Sequence, residues 1–355
     1  MENRTFFIKP SRSLAGETKL DPILVSKNKH CGIETSLTLD TNILISMEKV
    51  VKSGNKWSSL KKYGLHNLVT FLQRCPPGSI CIAPGFALGE MPAEAANRSR
   101  EFYELFVSAH LHGFVDTPNS IKSTFIDPGE NHGFESLPYD AQSFMAIPFA
   151  CIAYLNLIDK NQKGKPIEKF NSFLDCLENK VDILSAAEIE IAKYCFSEPA
   201  ADCTDLIKIR KKIRRNFLKT NDDKSPKDAQ EMISIAFNAA SDILLLHSAN
   251  IADKHGIDGI PQDSWIATRD KKLVEFSNVF HHVNIDGETG KYAAGTLTPE
   301  QAKDFFWQQT STEVMLRGLR RADYNLSRTI DKDKIIEAAH SAIREIRQYF
   351  QQRTD

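Results

Sequence analysis

Three short, uncharged apolar runs constrain the fold of this 355-residue chain more than any other feature: 36–39 (SLTL), 79–83 (SICIA) and 265–268 (WIAT). Each is bounded by helical periodicity or turn residues, as strands buried between helices are. A fourth run at 279–285 reads as another strand. Strands separated by helices predict an α/β fold with a parallel sheet flanked by helices. Apolar residues at three- and four-residue intervals predict helices over 101–111, 167–184 and 331–352. The segment 117–138 reads as loop, and Pro76-Pro77-Gly78 as a turn. Ser225-Pro226-Lys227-Asp228 reads as a helix start, with a capping Ser, Pro at the first position and an acid in the first turn.

This pattern predicts an N-terminal arm or edge strand over 1–35 and an α/β core over 36–97 and 226–285. A mainly helical insertion over 98–225 interrupts that core, and a helical C-terminal extension follows over 286–355. Composition is that of an ordinary globular chain, 41% hydrophobic and 26% charged, which excludes wholesale disorder. With 45 basic and 46 acidic residues the net charge of -1 excludes a histone-like polycation. The seven cysteines form no CxxC pair, which argues against a disulfide framework or zinc ribbon and predicts a cytoplasmic location. The most apolar run, 144–158, would span only about 22 Å as a helix, short of the roughly 30 Å hydrocarbon layer, so no membrane span is expected.

Ligands of open α/β sheets gather at the carboxyl ends of strands, and acids stand there. Asp40 follows the first strand and Asp270 the third; Glu90 lies beyond the second, and Asp242 on the helix leading to the third. Carboxylates that converge without a base repel one another, and a divalent cation relieves that repulsion. Mg²⁺ or Mn²⁺, which prefer carboxylate and water oxygens, fit such a set.

At these residues the chain resembles the PIN domain family of metal-dependent nucleases. LTLDTNILI (37–45), APGFALGEM (83–91), NAASDILLLHSANIADKHG (238–256) and WIATRDKKL (265–273) carry the resemblance. It implies metal coordination by Asp40, Glu90, Asp242 and Asp270, with Asn42 and Thr268 orienting the acids or the attacking water. The implied activity is an endoribonuclease in which metal-activated water hydrolyses a phosphodiester, leaving 5′-phosphate and 3′-hydroxyl ends. The match covers 36–90 and 226–285; the insertion is far longer than the family's usual helical connection.

Alternatives stand beside this reading. A strand-end Asp can simply cap a helix. A haloacid-dehalogenase-type phosphatase would need a second Asp where Asn42 stands. Glu94 is the alternative to Glu90, and Asp228 to Asp242, although Asp228 is also explained as an N-terminal dipole partner. A structure-specific DNA nuclease and a non-catalytic nucleic-acid or protein-binding module compete with the ribonuclease.

Seven basic residues and no acid occupy 206–219. Lys211, Lys212, Arg214 and Arg215 are the candidate phosphate contacts with nucleic acid, expected to be RNA, against the alternative of a solvated helix face. Arg317, Arg320, Arg321 and Arg328 form a second basic cluster. His110, His112, His247, His281 and His282 read as local structural residues. The reading leaves room for an inhibitory or activating protein partner and for a homo-oligomer.

Overall fold

The three apolar runs do become neighbouring strands. In a computed structural model the described residues are 3–13, 19–114, 133–219, 226–253, 259–284 and 291–353. Ser225, Gly256, Ile285 and most of the expected 117–138 loop lie outside them. The strands are β1 (Phe6–Ile8), β2 (Ser11–Ser13), β3 (Glu34–Leu39), β4 (Ile80–Ala83), β5 (Gln262–Thr268), β6 (Phe280–Asn284) and β7 (Lys291–Gly295). One sheet has the order β1-β5-β3-β4. β3 runs parallel to both β4 and β5, with Leu37 opposite Ile82 and Trp265.

The sheet is mixed rather than all parallel. β1 lies antiparallel on β5, Phe6 opposite Thr268, so the N-terminal arm forms an edge strand. The fourth expected strand corresponds to β6, which leaves this sheet and pairs in parallel with β2 in a small second one, with β7 next in order. An apolar pattern can identify a strand, but it does not choose the neighbour.

The chain divides into two compact units: residues 1–132, 245–277 and 281–294 in the first, and 133–244, 278–280 and 295–355 in the second. These boundaries differ from the 97/98 and 225/226 divisions read along the sequence. Helix Ala93–His110 belongs to the first unit, where it packs on helix Thr41–Lys52. Helix Ala229–Ala252 divides between the units at 244/245.

In the first unit, Ile43, Leu44, Met47 and Val50 form one buried face of helix Thr41–Lys52. They join Leu37, Leu39, Ile80 and Trp265 in a continuous core. Each fully buried aliphatic side chain there contributes about 1.5–3 kcal/mol. Two short helices follow, Trp57–Lys62 and His66–Arg74, parted at Gly64 with φ +75°. Near the start of β5, Lys9 ion-pairs with Asp253 and, at 2.8 Å, with Asp263. Asp263 also accepts from Asn28 at 2.7 Å and from the Trp265 indole at 2.9 Å. That acidic pair is compensated by a base and saturated with donors, so its role is structural.

The second unit is built from helices. The 144–158 run lies inside a 23-residue helix, Tyr139–Asn161, longer than its apolar stretch indicates and carrying Pro148 internally. This helix and residues 229–251 are long and apolar enough to cross a membrane, but most of each is buried in protein. The amphipathic helix Lys332–Gln351 lays Ile335, Ala339, Ala342, Ile343 and Ile346 along Tyr139–Asn161.

Of the second basic cluster Arg317, Arg321 and Arg328 are engaged within the fold, while Arg320 is exposed. Arg317 is buried against Asp175 (2.7 Å) and Glu178 (2.6 Å). Arg321, Arg328 (2.9 Å), Lys334 (3.3 Å) and the Tyr324 hydroxyl (2.7 Å) converge on Asp182, which sits at φ +64°. Burial alone would raise the Asp182 carboxyl. The hydrogen bonds from Tyr324, Arg321 and Lys334, with the charge of Arg328, overcome it and hold the group well below the usual carboxylate range.

Candidate functional site

Asp40 stands at the carboxyl end of β3, and its backbone N–H donates to Ala267 of β5 at 3.0 Å. The parallel register therefore sets Asp40 level with Thr268 at the end of the neighbouring strand. Although Asp40 occupies the N-cap position of helix Thr41–Lys52, its side chain makes no capping hydrogen bond. Its Oδ2 instead accepts from the hydroxyl of Thr268 and the amide of Asn42. Its bond to Thr268 on the neighbouring strand gives Asp40 a role beyond capping its own helix.

Thr268 is the hub. Its Oγ1 donates to Asp40 while accepting from the backbone N–H of Asp270 at 2.9 Å and from Asn42 Nδ2 at 3.2 Å. One fully buried hydroxyl thereby joins the strand-end acid of β3 to the turn that carries Asp270. Asn42 is fixed from its other end, because its Oδ1 accepts from Arg269 N–H at 2.8 Å. An aspartate at 42 would supply no donor to Asp40 and would add repulsion, so the phosphatase alternative loses its second acid here.

Burial pushes the Asp40 carboxyl above its ordinary pKa; hydrogen bonds from Thr268 and Asn42 pull against this, and the charge of Asp270 adds to it. Asp40 is only 7% exposed, and no described Lys or Arg pairs with it. Asp270 is more open. Its Oδ1 caps the next helix by accepting from Lys272 N–H at 2.7 Å, and its Oδ2 lies 3.8 Å from Lys272 Nζ. Helix capping therefore does explain part of Asp270.

Glu90 ends the short helix Gly85–Gly89 rather than opening a longer one, and it accepts from the Thr41 hydroxyl beside Asp40. Glu94 is exposed in the first turn of Ala93–His110. Asp228 accepts from Glu231 N–H at 2.8 Å at the start of Ala229–Ala252, performing the capping expected of Ser225. Asp242 belongs to the second unit, where it accepts from Asn216 at 3.1 Å.

The donor set at the strand ends is hard oxygen: two carboxylates, with a third attached through Thr41. Among the described residues, no three His, Cys, Asp or Glu side chains gather as a ready coordination sphere. That excludes a closed zinc-type cage from the described part. Carboxylate oxygens are the donor type that Mg²⁺ and Mn²⁺ take, and Mg²⁺ is commonly held through one or two of them with several waters retained.

Several supporting residues escape sequence reading. Arg269 turns its guanidinium away from both acids, donating to Ser46 Oγ at 2.6 Å and to Asn3. A Cβ at Gly64 would stand 2.9 Å from Arg269 Nε, so glycine leaves the space this arginine occupies. Nothing in the spacing of T-R-D signals partners more than two hundred residues away.

The basic helix forms as Thr204–Phe217. Arg214 is engaged within the fold: it makes a two-pronged pair with Asp159 (3.0 and 3.1 Å) and donates to the Cys195 carbonyl. Lys212 is half-buried, whereas Lys211 and Arg215 are exposed and have no ion-pair partner among the described residues. No family model matches the chain, and no curated protein or solved structure matches it either.

Proposed function

We propose that this chain is a PIN-like, Mg²⁺- or Mn²⁺-dependent endoribonuclease whose centre lies at the carboxyl ends of β3 and β5. The observation that carries the reading is the Thr268 hydroxyl joining Asp40 to Asp270, with Asp40 buried and uncompensated by a base. Asp40 and Asp270 would hold the cation, with Glu90 as the adjoining acid. Bound there, the cation supplies charge stabilisation for a phosphodiester under attack and lowers the pKa of water.

The chain's own residues perform the preparatory work. Asn42 and Thr268 fix one oxygen of Asp40, and Asn42 is locked in turn by Arg269 N–H. Asp40 thus loses little rotational freedom on binding a ligand, which is preorganisation. Lys211 and Arg215 offer exposed positive charge for a phosphate backbone, giving affinity that falls with salt.

Labelled RNA and DNA incubated in parallel with Mg²⁺, Mn²⁺ or chelator test the activity. Metal-dependent RNA cleavage, lowered at least a hundredfold in Asp40→Asn and Asp270→Asn, is expected. Cutting of DNA alone would convert the reading to a DNA nuclease. Binding without turnover would favour the non-catalytic module, and variants as active as wild type would remove the assigned site.

A further inference from the structure

The N-terminal arm carries positive charge to the rim of the strand-end acids. β1 lies on β5 with Phe6 directly opposite Thr268, so their side chains share one face of the sheet. Asp40 stands level with Thr268 on the next strand. Phe6 is therefore two inter-strand spacings, about 10 Å, from the position of Asp40.

The Phe6 ring brackets two cations. The Arg4 guanidinium lies 5.2 Å from the ring centroid, and the ammonium of Lys271, the residue after Asp270, lies 6.0 Å from it. Both residues are exposed, and Lys271 has no ion-pair partner among the described residues. The arm is pinned on either side of Arg4. Asn3 donates its amide to the Lys62 carbonyl and accepts from Arg269. Thr5 exchanges hydrogen bonds of 3.0 and 2.7 Å with Asn67 and donates its hydroxyl to the Gly64 carbonyl at 3.0 Å.

We propose that Arg4 and Lys271 form a clamp for the phosphate backbone of a nucleic-acid strand entering the Asp40 and Asp270 centre. A polyanion approaching carboxylates is repelled by them, and cations fixed at their rim offset that repulsion without occupying the metal position. A guanidinium matches phosphate oxygens in pairs, and an ammonium supplies a point charge. The Phe6 ring already carries its cations, so the contact is with backbone charge and not with a stacked base; it positions a strand without reading its sequence. The inference rests on the nuclease reading only for what happens to the strand once it is held.

The full chain, kept in chelator so that nothing is cut, is titrated at several salt concentrations with single-stranded RNA and DNA of equal length and with phosphatidylserine vesicles. Arg4→Gln/Lys271→Gln should weaken both strands at least tenfold with an unchanged circular dichroism spectrum. It should also flatten the slope of log affinity against log salt by about 1.4, two contacts at about 0.7 each. Arg4→Lys/Lys271→Arg, which keeps the charges, should retain the wild-type slope. With Mn²⁺ restored, the glutamine variant should raise KM at least tenfold and leave kcat within twofold. Unaltered affinity and slope in the glutamine variant overturn the proposal, as does vesicle binding with both strands silent. Strands bound through Arg4 and Lys271 but never cut would keep the clamp and remove the nuclease reading.

Discussion

Replacing Asp40 with Asn removes a buried charge while keeping an acceptor oxygen for Thr268 and Asn42. Burial and the charge of Asp270 raise the folded-state pKa of Asp40, so its ionised form is less stable in the folded chain than in the unfolded one. The sign follows from proton linkage. Above the unfolded value of about 3.9, the folded state binds more protons, and stability falls as pH rises through the folded pKa. Each unit of upward displacement corresponds to about 1.4 kcal/mol. The exchange weakens charge-assisted hydrogen bonds and relieves the buried charge; because the folded-state pKa is displaced upward on balance, a net gain in stability is expected at pH 7. For a unit of this size that raises Tm by about 2–4 °C per kcal/mol.

The assay is thermal unfolding in chelator from pH 4 to pH 8. The two proteins should melt together at the acid end and separate as pH rises, with the variant higher. Mn²⁺ at a hundred times its Kd should then stabilise wild type by about 2.7 kcal/mol and leave the variant unmoved. A variant that melts lower than wild type at pH 7, or a difference independent of pH, would refute the reasoning.

Three further outcomes follow from separate parts of the molecule. Asp182→Asn should destabilise the second unit by about 1–3 kcal/mol by leaving Arg321, Arg328 and Lys334 uncompensated; because the native pKa is depressed, wild type should lose this stability as pH falls below about 4 and the variant should not, as pH-dependent melting will read. Arg214→Ala should cost about 3 kcal/mol in denaturant titration through loss of the Asp159 pair, whereas Lys211→Gln/Arg215→Gln should change stability by no more than about 0.5 kcal/mol and flatten the salt dependence of RNA binding. Gly64→Ala forces a left-handed residue and crowds Arg269, so about 1–2 kcal/mol of stability and part of kcat should be lost, checked by melting and single-turnover cleavage.

What was legible in the sequence is what depends on local pattern. Short uncharged runs at 36–39, 79–83 and 265–268 marked the parallel strands, and T-x-D after the last of them marked the turn where Thr268 and Asp270 meet. The antiparallel addition of β1 was less legible, because its pairing with β5 joins residues about 260 positions apart. The same holds for Lys9 with Asp263 and for Arg269 with Asn3. The basic run at 206–219 shows charge but not direction: one of its arginines, Arg214, is tied to Asp159 from another helix. Asp40 reads equally well as a cap or as a site acid, and only the position of Thr268 on the adjacent strand separates the two.

A crystal soaked with Mn²⁺ and measured at the manganese absorption edge tests the centre most directly. The account predicts an anomalous peak coordinated by the carboxylates of both Asp40 and Asp270, with Thr268 still hydrogen-bonded to Asp40. Manganese bound elsewhere, with those two carboxylates facing different cavities, would contradict it.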